Sequence, residues 1–346
     1  RVAISGDLVA IGASGEDSYA TGVNGNQGDN SVSFAGATYV FVRSGDIWIQ
    51  QADLKSSGTD VDDYFGDALA LSGDSVLVGA PFEDSGAVGV NGNPANNDAL
   101  NSGAAYVYTL AALRVTTLAD EQNANGQCSL REALINANQN DQSGSTDCAA
   151  GFGTDTIRFE VTGQIGLTSA LPNILDPLII DGPGPDLLQV RRTTSALFRV
   201  FTVGSTSATL SGLAISGGDV GTSEGGGIQN FGQLVIRDSE IFENRANGGG
   251  GIDNRGTLTL TGSTLRNNVA NFDGGALYNT GSNAVATLRN CTISGNTGGG
   301  GNAGGIMSAT GTGQTASLSL EGCTLSGNTG SSVRLRQFAA GASVTA

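Results

Sequence analysis

Gly225-Gly226-Gly227-Ile228-Gln229-Asn230 returns as Gly249-Gly250-Gly251-Ile252-Asp253-Asn254, then as Gly274-Gly275-Ala276-Leu277-Tyr278-Asn279. A frayed fourth copy is Gly304-Gly305-Ile306-Met307-Ser308. A second phrase follows each copy: Ser239-x-Ile241-x-x-Asn244, Ser263-x-Leu265-x-x-Asn268, Cys291-x-Ile293-x-x-Asn296 and Cys323-x-Leu325-x-x-Asn328. Its anchor recurs in steps of 24, 28 and 32 residues, and Leu213-x-Ile215 with Gly218 fits one step of 26 further back. Periods of this size mean stacked repeats. Apolar residues alternate within each copy, as in Leu258, Leu260 and Leu265, which is strand spacing. One such turn cannot bury its own apolar row, whereas stacked turns share a continuous core. Asn244, Asn268, Asn296 and Asn328 then stand above one another at a corner. There asparagine tolerates the left-handed conformation, and stacked amides hydrogen-bond along the column. The spacing predicts a parallel β-helix.

The paired phrases, GGGIxN followed by (S/C)xLxxN, resemble the repeats of polymorphic outer membrane proteins and related right-handed β-helix surface proteins. The resemblance spans about residues 113–330. It implies a right-handed, single-stranded parallel β-helix of the pectin lyase-like kind, on an extracellular or outer-membrane surface.

Ahead of the repeats, Cys128-Ser129-Leu130-Arg131-Glu132-Ala133-Leu134 carries a capping box, Ser129 with Glu132 three residues on. Leu130, Ala133, Leu134 and Ala137 fall on one helical face. This phrase resembles a signature at the start of many secreted bacterial β-helix proteins, where a short helix plugs the open end of the coil. Cys128 and Cys148 flank the helix. A disulfide there would close a loop worth roughly 3 kcal/mol; two buried thiols are the alternative. Cys291 and Cys323 share one repeat position about one strand spacing apart, either as stacked buried thiols or as a cross-rung bridge. The first turns are Ile157-x-Phe159-x-Val161, Ile165-x-Leu167 and Pro177-Leu178-Ile179-Ile180-Asp181-Gly182. The tail after Asn328 carries no capping phrase, so the coil is expected to continue past it.

Residues 1–110 repeat at a different offset, 67. Val2-Ala3-Ile4-Ser5-Gly6-Asp7 answers Leu69-Ala70-Leu71-Ser72-Gly73-Asp74, and Gly36-Ala37-Thr38-Tyr39-Val40-Phe41 answers Gly103-Ala104-Ala105-Tyr106-Val107-Tyr108. Short alternating strands joined by Gly and Asp turns suggest two β-propeller-type blades. Phe65-Gly66 followed by Val78-Gly79-Ala80-Pro81, with Ile11-Gly12-Ala13-Ser14 in the first copy, resembles FG-GAP repeats, the blades of integrin-type propellers. Two blades close no ring, so further blades upstream or a stacking partner are expected. Each copy holds an acidic loop: Glu16, Asp17, Asn24, Asn26 and Asp29, then Glu83, Asp84, Asn91, Asn93 and Asp98. Oxygen ligands between glycine bends suit Ca²⁺, but the strict Asp-x-Asp-x-Asp-Gly spacing is missing. An ordered loop of Asx turns without metal is the other reading.

The 346 residues hold 55 glycines, one lysine (Lys55) and no histidine, with a net charge of −16. That charge repels nucleic acid and anionic membrane surfaces. The missing histidine removes Ser-His-Asp and Cys-His catalysis and histidine-ligated metals. No apolar run is long enough for a membrane-spanning helix. Many parallel β-helices cleave polysaccharides, which makes Asp253 and Arg255, outward on one rung, the catalytic candidates. Their stacked neighbours Gln229, Phe231, Tyr278 and Thr280 add no carboxylate, although Asp219, Glu224 and Asp273 lie in nearby corner loops. The sequence therefore divides into blades at 1–110, a linker and helical cap at 111–155 and a β-helix at 156–346. It favours a non-catalytic extracellular structural or adhesive module of a larger bacterial secreted or cell-surface protein. Such a module needs no cofactor, Ca²⁺ apart, and its partner would be a glycan or another surface protein. A polysaccharide lyase or hydrolase is the alternative.

Overall fold

Alternating apolar residues in the repeats close the chain into a coil of parallel strands. The computed structural model describes the chain except residues 7, 24, 45–46, 74, 91, 95, 111, 152, 311–314, 338–342 and 346. It resolves into two compact units, 1–112 with 152–154, and 113–151 with 155–346.

The second unit is a parallel β-solenoid of about seven turns over residues 155–336. Its longest sheet runs from Leu113–Val115 through Asp155–Phe159, Leu178–Asp181, Ser207–Ser211, Gln233–Arg237, Thr257–Thr261, Ala284–Arg289 and Thr315–Glu321 to Ser343–Thr345. A seven-stranded sheet carries the second phrase, with Ile215, Ile241, Leu265, Ile293 and Leu325 in one column. The GGGIxN phrases form a six-stranded sheet, in which Ile228 sits over Ile252, Leu277 and Ile306. The predicted steps are therefore the register of the pairing. One core of Leu, Ile and Val side chains fills the coil from end to end. Each fully buried aliphatic contributes about 1.5–3 kcal/mol.

Corner chemistry fixes that register. Asn244 donates to Asn268 Oδ1 at 3.0 Å, Asn268 to Asn296 at 3.0 Å and Asn296 to Asn328 at 2.9 Å, so each amide joins two turns. One expectation needs correcting. The left-handed residue is not the ladder asparagine but the one before it: Glu243, Asn267, Gly295 and Gly327 have φ between 53° and 65°. The ladder side chain is thereby free to point along the stack. A second ladder, beyond the one at the Asn244 corner, runs Asn230 to Asn254 at 2.7 Å and Asn254 to Asn279 at 2.8 Å. The glycines of the first phrase permit this stacking. A Cβ on Gly227 would lie 2.6 Å from the Gly251 carbonyl oxygen of the next turn.

The helix Leu130–Gln139 begins with the predicted capping box, and Leu130, Ala133, Leu134 and Ala137 pack into the solenoid core. Cys128 and Cys148 form a disulfide with their Cα atoms 4.9 Å apart. The solenoid sheet begins within the segment read as linker, because Leu113–Val115 pairs parallel to Asp155–Phe159. Cys291 is a buried free thiol, whereas Cys323, also free, is half-exposed rather than buried. Burial pushes the Cys291 thiol up to about 11. At the far end Val333–Gln337 adds a further strand beside Ile306–Thr310.

The first unit holds two antiparallel sheets. One has four strands in chain order, Val2–Ser5, Leu8–Ala13, Ala37–Ser44 and Ile47–Leu54; the other has three, Ala68–Ser72, Ser75–Ala80 and Ala104–Thr109. The Phe65-Gly66 pair lies where the repeats meet. Phe65 is buried beside Tyr106 and Tyr108. Gly36, at φ 82°, comes so close to Phe65 that a Cβ would lie 2.2 Å from its carbonyl oxygen.

Candidate functional site

Asp253 is the middle residue of the strand Ile252–Asn254, with Gln229 one turn before and Tyr278 one turn after. Strand alternation points it away from the solenoid core. The sequence suggested an open outward position there, yet Asp253 is fully buried. The chain before Gly225 closes over it: a Cβ on Gly225 would meet Asp253 Cβ at 3.1 Å. Arg199, one turn earlier, holds this cover by donating to the carbonyl oxygens of Glu224 (3.1 Å) and Gly225 (3.2 Å).

Beneath the cover, Asp253 Oδ2 accepts from Gln229 Nε2 at 3.0 Å and from Arg255 Nε at 2.8 Å. Arg255 also reaches Glu224 Oε2 at 3.4 Å, and its Cζ lies 5.8 Å from the Phe231 ring centroid. Burial pushes the Asp253 carboxyl up, against the opposing pull of Arg255 and Gln229. Burial works to lower the Arg255 guanidinium, but Asp253 and Glu224 outweigh it and hold the group above its usual range. A catalytic base must release its proton, and these partners make Arg255 hold it more tightly. Asp273 turns elsewhere, accepting from the Ala303 amide at 2.9 Å, and Asp219 Oδ1 accepts from Gly221. Of the three corner acids only Glu224 joins the Arg255 pair. Arg199 was missed; its one sequence signal was its place 26 residues, one turn, before Gly225.

Beside Arg255 a cleft of about 520 Å³ opens, lined by Ser207, Phe231, Gln233, Arg255, Thr257 and Asn283. Phe231 is half-exposed there. A second cleft, of about 420 Å³, includes Arg191, Arg192, Glu243 and Arg245. Its cations are engaged: Arg191 with Glu243 at 3.1 Å, Arg192 with the Gly217 carbonyl at 2.7 Å and Arg245 with Asn271 at 2.9 Å.

The acidic loops of the first unit fold in the same way twice. Glu16 accepts from the Ser18 amide and hydroxyl, and Asp17 from the Phe34 amide at 2.8 Å. At offset 67, Glu83 accepts from both groups of Ser85, and Asp84 from the Asn101 amide at 2.6 Å. Asn26 and Asp29 cap the amides of Gly28 and Ser31. Asn93 and Asp98 are exposed, and the candidate ligands Asn24 and Asn91 lie outside the described residues. Among the described residues no three of the acidic or cysteine side chains gather to hold a metal ion. Among them also, no helix is long and apolar enough to cross a membrane.

The family model for the FG-GAP repeat matches residues 48–108, which take in all but the first residue of the last strand of the first sheet and all but the last residue of the second sheet. No curated protein matches the chain, and no solved structure does.

Proposed function

We propose that the chain is a non-catalytic extracellular module, structural or adhesive, in which the solenoid acts as a rigid spacer with a binding face. The observation that carries this reading is the state of Asp253 and Arg255, the best catalytic candidates. One is sealed under a loop and the other is held protonated by two acids, so the pair pins the cover rather than waiting for a substrate. The extracellular placement is supported by the FG-GAP match, a repeat typical of extracellular proteins. The Cys128–Cys148 bridge agrees, since such bonds persist in oxidising compartments. The cleft beside Phe231 and Arg255 favours a glycan as the adhesive partner, because an exposed ring among hydroxyl and amide groups suits a sugar face.

The test is a depolymerisation screen of the intact chain on pectate, alginate, hyaluronan and neutral plant glycans, with and without Ca²⁺. The same glycans are spotted as a binding array. Retention of at least one glycan, reduced by Phe231→Ala and without cleavage, is the expected result. Unsaturated products or new reducing ends that disappear with Arg255→Ala would instead make the solenoid a lyase or hydrolase.

A further inference from the structure

The two repeats of the first unit differ by one strand. In the first, Ala37–Ser44 pairs along its outer edge with Ile47–Leu54, Thr38 opposite Leu54 and Tyr39 opposite Asp53. The end of that fourth strand is gripped from its other side. Lys55 donates its amide to the Gly22 carbonyl at 2.7 Å, Gly22 donates to Ser56 at 3.2 Å, and Val23 bridges Leu54. Lys55 then turns inward, fully buried, and its ammonium meets Glu16 Oε2 at 2.6 Å.

Every part of that slot recurs in the second repeat except the strand. Ala104–Thr109 takes the place of Ala37–Ser44 and is the outermost strand of its sheet. Gly89 and Val90 take the places of Gly22 and Val23, and Val90 is 91% exposed. Between that loop and the strand edge runs a cleft of about 680 Å³, bordered by Ala87, Gly89, Val90, Ala105, Tyr106 and Val107. Glu83 takes the place of Glu16 and is 1% exposed; its Oε2 serves Ser85 while its Oε1 has no hydrogen-bond partner among the described residues. Among the described residues that follow, none adds a fourth strand, since Leu113–Val115 pairs in the solenoid sheet.

We propose that this slot docks an extended segment from another FG-GAP-type repeat, which adds as a fourth strand antiparallel to Ala104–Thr109 and delivers a lysine ammonium to Glu83. An unpaired edge offers main-chain hydrogen bonds to an incoming strand, and its alternate side chains supply specificity. A buried carboxylate oxygen without a donor strongly favours a cation over a neutral side chain. The occupant's pattern is given by the chain's own filled slot, Ile47-Trp48-Ile49-Gln50-Gln51-Ala52-Asp53-Leu54-Lys55. That strand is already in use in its own sheet, so the occupant comes from elsewhere. The inference does not depend on whether the solenoid binds glycans.

The probe is a fluorescein-labelled peptide of residues 47–57, titrated into the intact protein and followed by anisotropy. Saturable binding is expected, together with slowed amide exchange across Ala104–Thr109. Binding should be roughly tenfold weaker for a peptide carrying Lys55→Met and for protein carrying Glu83→Gln. Absence of saturable binding, or equal affinity of the two peptides, overturns the proposal. The peptide comparison needs no protein variant, so it decides the matter even where Glu83→Gln fails to fold.

Discussion

The solenoid and the first unit solve one problem, satisfying polar groups in glycine-rich turns, in opposite ways. In the solenoid the donors and acceptors belong to different turns: Asn268 accepts from Asn244 on one side and donates to Asn296 on the other. In the first unit the acids of each loop cap amides of that same loop, Glu16 and Asp17 in one and Glu83 and Asp84 in the other, while Glu16 also takes the Lys55 ammonium. The difference teaches that damage in the solenoid should travel along the stack, whereas damage in the first unit should stay in one repeat.

The largest expected effect lies in the first unit. Lys55→Met removes a fully buried ammonium and leaves Glu16, whose side chain is 13% exposed, without its cation; it should cost about 3 kcal/mol or more. In hydrogen exchange the loss should appear within residues 16–56 and leave the solenoid unchanged; spreading into the solenoid would break the contrast. Next, the double change Cys128→Ser and Cys148→Ser should cost about 3 kcal/mol in a denaturant titration. It should loosen the helical cap and the first turns, where the bridge closes its loop.

A pH series sharpens the comparison further. Burial, then Glu16, push the Asp53 carboxyl up to about 6 against the pull of Lys55; burial pushes Asp63 up to about 6 against a hydrogen bond from the Asp60 amide. Between about pH 4 and 6 the folded state holds protons that the unfolded chain releases. The first unit should therefore lose stability as pH rises through that window, by about 2–3 kcal/mol per carboxyl. Asp53→Asn with Asp63→Asn should flatten the dependence measured by thermal unfolding. The smallest effect belongs to Asp84→Ala, which frees one exposed amide, that of Asn101, and should cost under about 1 kcal/mol by denaturant midpoint.

The solenoid was legible in the sequence because its register is written as spacing. Columns such as Ile241, Leu265, Ile293 and Leu325 follow directly from the repeat anchors. The cap was legible too, since Ser129 and Glu132 are a local signal. The candidate site was legible only in part. Alternation placed Asp253 outward, but its burial depends on how the chain before Gly225 folds back and on Arg199 a turn away, neither of which a period encodes. The pairing of Glu16 with Lys55 was hidden for a similar reason, because it joins residues 39 apart through a strand edge.

The contrast is tested most directly by mapping hydrogen exchange across the intact chain carrying Asn268→Ala. Loss of this buried amide should cost about 2–3 kcal/mol. Exchange should quicken in the turns on both sides, around Ile241–Asn244 and Ile293–Asn296, with the first unit unchanged. Quickening confined to the turn of Asn268 itself would contradict the account, because the ladder would then not couple one turn to the next.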